Sequence, residues 1–340
     1  MNKTARTVII VLTGLCISAS ASGGLLTAPA GYRYIDTAFS MPAGAWFGGF
    51  DVLPNGHFVI SDGYSIRQIT PAGRDVRTLY TYSSMVYGSF VKYNAANQRI
   101  YFGESSSGAI KSISMRGGEA AEVTTLAFNF DLDFWDGVPY ASAGNQVYRV
   151  DESDGSSDPV AQVGLFSGPV MFDEAGNLIY SPGDDDWSTP RDQSIYRWTA
   201  AQVAGAGGGT VLGASDGIVL ADNTGPYGFA IDRSGDLLFS ETVFPSAIQL
   251  LSAGLVQTFS MPVDPGCSIT YIRCNAAKGS VSAAVSWYDE YWVQHTVIST
   301  LVPVPGRGRG RFWQRRGSNT PLSGPSFPSP SHPARRFCAR

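Results

Sequence analysis

A block of similar residues recurs along this chain at a fixed interval, and a period of that size restricts the fold to an array of like units. Gly49-Phe50-Asp51-Val52-Leu53, Ser89-Phe90-Val91-Lys92-Tyr93, Asn129-Phe130-Asp131-Leu132-Asp133, Pro169-Val170-Met171-Phe172-Asp173, Gly228-Phe229-Ala230-Ile231-Asp232 and Ser268-Ile269-Thr270-Tyr271-Ile272 can be laid over one another. From Phe50 the apolar anchor steps by 40, 40, 40, 59 and 40 residues to Ile269, which makes six units, one with an insertion. The repeat speaks to architecture and, by itself, says little about chemistry.

Each unit continues alike. A turn rich in Gly, Asn or Asp follows the anchor, as in Pro54-Asn55-Gly56 or Arg233-Ser234-Gly235-Asp236. Then come a short apolar run such as Phe58-Val59-Ile60, an alternating run such as Ile66-Arg67-Gln68-Ile69, and in most units a weaker fourth run such as Val76-Arg77-Thr78-Leu79-Tyr80. Four strands in about 40 residues is the signature of a propeller blade. The expected fold class is therefore all-β, a six-bladed β-propeller. The sixth unit stops after its third strand, at Pro303, while Tyr32-Arg33-Tyr34-Ile35-Asp36 has strand character and no unit of its own. That segment is predicted to supply the outer strand of blade six, because an open array would leave two unpaired edges. The insertion falls in blade four, in Pro182–Ser188 or around Ala204–Gly209, the latter expected to be a flexible loop.

Composition agrees: 39 Gly and 20 Pro with only 15% charged residues describe a turn-rich, strand-rich chain rather than a helical bundle. Residues 1–21 read as a secretory signal, with Lys3 and Arg6, an apolar stretch from Val8, and Ala19-Ser20-Ala21 for cleavage. The expected organisation is a signal at 1–21, a propeller over 22–301 and a disordered tail rich in Arg, Pro, Ser and Gly over 302–340. Export places the protein outside the cell or in the envelope, where Cys267 and Cys274 could pair as a disulfide, buried thiols being the alternative. All 28 acidic residues lie in 22–305. Of the 24 basic ones, two fall in the signal and eight in the tail, leaving 14 and a formal charge of −14 on the body. Such a body is a poor nucleic-acid binder, and no segment of the mature chain is long and apolar enough to span a membrane.

The fifth unit, from Gly225-Pro226-Tyr227-Gly228-Phe229 through Asp232-Arg233-Ser234-Gly235 to Phe239-Ser240-Glu241, resembles an NHL repeat, and the first unit, Gly49 to Asp62, is similar. Over roughly residues 32–301 the resemblance is to the six-bladed architecture of NHL proteins, streptogramin lyases and the gluconolactonase/regucalcin family. It implies a scaffold that serves both enzymes and binding proteins. The lactonase implication meets a departure, since the inner strands lack the Asn ligands of that family; a lyase would want a well-placed His, and the mature body has only His57 and His295. Val302-Pro303-Val304-Pro305 resembles the beginning of a bacterial PEP-CTERM sorting signal, but the apolar helix that should follow is missing. A degenerate or frameshifted signal and contact with an anionic surface are both readings of the Arg-rich tail.

In a propeller, the entries to inner strands and the loops joining second to third strands open on one face around the channel. Second strands here end at Asp62, Glu104 and Glu241, and entries carry Trp46, Tyr87 and Tyr227. These six are the candidate ligand-binding rim. Carboxylates at a channel mouth can hold a hard cation such as calcium, for which Asp184, Asp185 and Asp186 are weaker candidates, and aromatics can stack on sugars. The structural alternative is that such acids bond their own loops and such aromatics pack between blades. No catalytic residue is assigned. The expected function is that of a non-catalytic exported binding protein, monomeric, recognising a carbohydrate, peptide or protein; the alternative is a metal-dependent lactonase or lyase.

Overall fold

A computed structural model describes residues 24–183, 193–241, 246–275 and 277–305. The chain forms six four-stranded antiparallel sheets, each meandering outward from an inner strand, and the inner strands touch in sequence around a closed ring. These inner strands are Gly49–Val52, Gly88–Asn94, Asn129–Trp135, Val170–Phe172, Pro226–Ile231 and Ser268–Asn275. The protein is a six-bladed β-propeller. Its compact unit ends at Val304, and the expected signal and most of the expected tail lie outside the described residues.

The ring closes as the sequence predicts. The strand Tyr32–Ala38 pairs antiparallel with Gln294–Pro303, Tyr34 opposite Leu301, and becomes the outer strand of blade six. Leu26, upstream of it, is fully buried among Leu238, Ile248, Ile269 and Val285 at the seam of blades five and six.

A ring of small residues explains how tightly the blades pack. Ser61, Gly103, Ser142, Ser181, Ser240 and Ser286 lie within the last three residues of the second strands or immediately follow them. A Cβ on Gly103 would stand 2.5 Å from the Phe90 ring of the inner strand and 2.4 Å from Asn129 of the next blade. Ser142 donates to the Gly168 carbonyl of the following blade at 2.7 Å, and Ser240 to the Thr270 carbonyl. Only a hydrogen or a short hydroxyl fits where one blade's second strand abuts the next blade.

Two expectations change. The 40-residue steps place Phe90 and Phe130 beside Phe50, but β-bulges slide the ladder: Phe50 faces Ile60, Val91 faces Phe102, and Leu132 faces Ala141. The counterparts of Phe50 in blades two and three are thus Val91 and Leu132. The segment expected to be a flexible loop in blade four begins as a helix, Ala200–Gly205, capped by Thr199 and Gln202 and anchored by buried Val203, Ala206 and Leu212.

Candidate binding face at the channel mouth

Bulges also decide what stands on the axis. A bulge leaves one residue of its strand unpaired and re-aims its side chain. In blade three the bulge lies between Asn129 and Asp131, in blade five between Pro226 and Gly228, and in blade six between Ile269 and Ile272. The residues released are Phe130, Tyr227 and Tyr271, and they meet. The Phe130 and Tyr227 ring centroids are 5.1 Å apart, those of Tyr227 and Tyr271 5.7 Å, and Phe47 continues the stack against Tyr271 at 5.8 Å. The Tyr271 hydroxyl donates to the Ser89 carbonyl of blade two at 3.1 Å, so side chains from blades three, five and six are joined to blade two. Burial raises both phenols, Tyr271 well above the ordinary value; the bond between them raises Tyr271 and lowers Tyr227, and the Asp131 charge adds to both. Both therefore remain neutral hydrogen-bond donors at physiological pH.

Alongside the aromatic stack, the inner strands carry a balanced set of charges. Lys92 stands 3.4 Å from Asp131, and Arg273 stands 3.6 Å from Asp51. Asp51 and Asp133 each accept the backbone N–H of the next blade's inner strand, at Tyr93 and Phe172, both at 2.7 Å. Burial holds the Asp133 carboxyl above the usual carboxylate range, the Asp131 charge adds to this, and Lys92 and two backbone N–H groups oppose it. Between the ordinary carboxylate range and the raised value, the folded protein therefore keeps a proton on Asp133 that the unfolded chain has released. Stability from this group is full at low pH and falls as pH rises from the ordinary carboxylate range through the raised value. Asp133→Asn, which can still accept the Phe172 N–H, should flatten the fall in urea midpoint as pH rises above the ordinary carboxylate range of about 4. An unchanged pH profile would mean that Asp133 ionises in place without penalty.

The three rim carboxylates are spent inside their own blades. Asp62, Glu104 and Glu241 are 2%, 7% and 3% exposed. Asp62 accepts Arg67 Nε at 2.8 Å, Glu104 accepts Lys111 Nζ at 2.7 Å, and Glu241 accepts Gln249 Nε2 at 2.9 Å. Arg67, Lys111 and Gln249 hold the same register, opposite Ile60, Phe102 and Phe239. One device thus recurs in blades one, two and five: the acid ending the second strand satisfies a polar side chain of the third. The structure does not bring these carboxylates together, and no cluster of three metal-binding side chains occurs among the described residues. Asp184, Asp185 and Asp186 lie outside the described residues.

The aromatic candidates do reach the entry face. Trp46 and Tyr87 pair edge to face at 5.7 Å, with Tyr87 half-exposed, and Tyr227 forms part of the axial stack. The face carries more apolar surface than these three: Phe128, Leu165, Phe166 and Val263 on entry loops, and Tyr288, Tyr291 and Trp292 on the blade-six hairpin, are all exposed.

Its described strand-entry loops are nearly free of charge. Entry loops 39–48, 82–87, 126–128, 163–169 and 261–267 contain a single charged side chain, Asp264. The turns of the opposite face carry Asp151, Glu152, Asp154, Asp173, Glu174 and Asp236, with others. Among the described loops, exposed aromatic side chains gather on the entry face and most acidic side chains on the opposite one, with Asp62, Asp264, Asp289 and Glu290 on the entry side.

No disulfide joins Cys267 and Cys274. They lie at opposite ends of the strand Ser268–Asn275, roughly 20 Å apart at ~3.3 Å per residue, against the 4.4–6.8 Å that a disulfide spans. The expected short loop between them is a strand, and burial pushes the Cys274 thiol up.

Neither a protein-family model nor a curated protein sequence matches the chain. Solved structures do match it. A gluconolactonase from Xanthomonas campestris aligns at TM-score 0.57 and 15% identity, covering 82% of this chain and 95% of that one. Virginiamycin B lyase from Staphylococcus aureus aligns at TM-score 0.55 and 13% identity over 80% of this chain and all of that one. An auxiliary nutrient-binding protein from Bacteroides thetaiotaomicron aligns at TM-score 0.55 and 11% identity, covering 79% and 76%. The likeness is one of fold, shared by proteins of mixed function.

Proposed function

We propose that this is an exported, non-catalytic binding protein that receives a neutral carbohydrate, peptide or protein partner on its entry face. The observation that carries this reading is the character of the surface: exposed aromatic side chains surround the channel mouth of an acidic body, on described strand-entry loops whose one charged side chain is Asp264. Phe128, Tyr291 and Trp292 stand about three-quarters exposed, with Tyr87, Phe166 and Tyr288 about half. At ~150–250 Å² per aromatic side chain, they present on the order of 700 Å² of exposed surface. The occupied state of Asp62, Glu104 and Glu241 and the aromatic stack on the axis favour recognition over chemistry at this mouth. Residues 1–21 support export.

The test is co-sedimentation of the mature protein with an envelope fraction of the source cells. Tyr87→Ser/Phe128→Ser/Phe166→Ser should lower the bound fraction at least tenfold, while Glu174→Ala/Arg233→Ala on the opposite face leaves it unchanged. Equal binding by both variants would reject the entry face as the site, and turnover of any member of a lactone panel by the wild-type protein would reject the non-catalytic reading.

A further inference from the structure

The blade-six hairpin is the most developed feature of the entry face. Its strands, Ser280–Tyr288 and Gln294–Pro303, run nine and ten residues, longer than any other described strand. The connecting loop is fixed from inside. Asp289 accepts the Tyr291 and Val293 N–H groups at 2.9 and 3.0 Å and bonds His295 Nε2 at 2.9 Å, while the Trp292 N–H donates to the Asp289 carbonyl at 3.0 Å. His295 in turn stacks on Trp287 at 5.5 Å and 18°. At the base, Gln294 Oε1 accepts the Phe47 N–H at 3.1 Å, which ties the hairpin to the blade-one entry and, through Phe47, to the axial stack.

This rigid frame displays aromatic side chains to solvent. Tyr291 and Trp292 are each 77% exposed, and the Trp292 ring lies 6.4 Å from that of Tyr288. Trp292 holds φ at +60°, in the left-handed region that bulky side chains rarely occupy. Phe128, on the entry to blade three, is likewise exposed and at φ +56°. The Gln294–Phe47 bond and the Phe47–Tyr271 ring contact set the base of the hairpin beside the axial stack, so the hairpin flanks the channel mouth.

We infer that the partner is a neutral carbohydrate chain, bound where Tyr288, Tyr291 and Trp292 of the hairpin stand beside Tyr227 and Tyr271 of the axial stack. This deepens the binding reading above and rests on it. A sugar ring offers a C–H face, whose hydrogens carry partial positive charge and pack on the negative face of an aromatic ring. Around that face run hydroxyls that need partners, and Tyr288 and Tyr291 present exposed hydroxyls that both donate and accept. The charges decide against an acidic polymer. Asp289 is engaged by His295, and the other described acids of the entry and hairpin loops, Asp264 and Glu290, would repel a uronate or sulfated chain. Preset aromatic rings lose little freedom on binding, which favours a stacked ligand.

Affinity electrophoresis of the full mature protein in gels containing mixed-linkage β-glucan, xylan, galactomannan or starch tests the assignment, with polygalacturonate as the acidic comparison. At least one neutral polymer should retard the protein, and polygalacturonate should not. Tyr291→Ala/Trp292→Ala should weaken that retention more than tenfold without shifting the thermal midpoint, since both side chains are exposed. Retention that is equal in this variant, or greatest in polygalacturonate, overturns the inference. If no polysaccharide retards the protein while envelope co-sedimentation persists and is lost on protease treatment of the envelope, the partner is a protein; the carbohydrate inference then falls and the binding reading stands. A dimer seen by light scattering that Tyr291→Ala/Trp292→Ala dissociates would make the occupant a second copy of this chain and overturn the inference equally.

Discussion

Removing residues 24–38 should abolish cooperative unfolding, and adding that segment back as a free peptide should restore it. The segment supplies seven residue pairs to the outer edge of blade six, from Tyr32 opposite Pro303 to Ala38 opposite Val297. It also supplies Leu26, whose loss from a packed core costs about 3–5 kcal/mol by itself. Backbone bonds from Thr27 to Met261 and from Val263 to Leu25, at 2.8 and 2.9 Å, stitch the same segment to the entry of blade six. Without it the strand Gln294–Pro303 becomes an exposed edge and the seam of blades five and six opens, at a total cost comparable to the roughly 5–15 kcal/mol that holds a domain folded. The peptide should rescue by strand addition, the antiparallel register being already specified. Urea unfolding followed by near-ultraviolet circular dichroism reads the result. A truncated chain that unfolds with the wild-type midpoint would show that the ring is held by its inner strands alone.

How much of this was legible in the sequence depends on whether a feature leaves a periodic mark. The blades did, because each repeats an apolar inner strand, a turn and a second strand at similar spacing; the closing strand did, because blade six runs out of chain at Pro303. The bulges did not. An extra residue in a strand has no signature residue type, so Phe130 reads as one more anchor when it stands on the axis, and Tyr271 reads as an interior strand residue when it crosses the channel mouth. Trp46, Tyr87 and Tyr227 were placeable on the entry face from topology alone. Tyr291 and Trp292 were missed, although the run Asp289-Glu290-Tyr291-Trp292 between two strands marks a polar loop carrying exposed aromatics. The acids at 62, 104 and 241 were ambiguous because an acid ending a strand looks the same whether it faces solvent or its own blade. Reading the third strand would have separated the cases: Arg67, Lys111 and Gln249 each stand opposite the residue two before the acid.

That ambiguity has a measurable resolution at Asp62. Asp62→Ala should destabilise the protein by about 3–5 kcal/mol, the cost of removing one partner of a buried ion pair. Arg67 would keep only Asp75, whose side chain is largely exposed, and the Ser40 carbonyl, while the Tyr64 and Ser65 N–H groups would lose the oxygen they now share. Asp62→Asn retains that oxygen but loses the charge and the acceptor facing Arg67 Nε, so its cost should be smaller than alanine's, about 1–3 kcal/mol. Asp62→Ala/Arg67→Met, which removes the stranded cation and leaves an unbranched apolar side chain, should recover much of the single-variant loss, because replacing both members of a buried pair is often nearly neutral. A rim residue free to hold a ligand would behave otherwise: Asp62→Ala would leave the urea midpoint where it was, and Arg67→Met would bring no recovery. The order of stability expected from a pair that serves the blade is wild type, then Asp62→Asn, then Asp62→Ala, with the double variant above the last. Entry-face binding measured on the variants that remain folded should match wild type throughout, since the carboxylate is directed into blade one and the aromatic surface beside it is untouched.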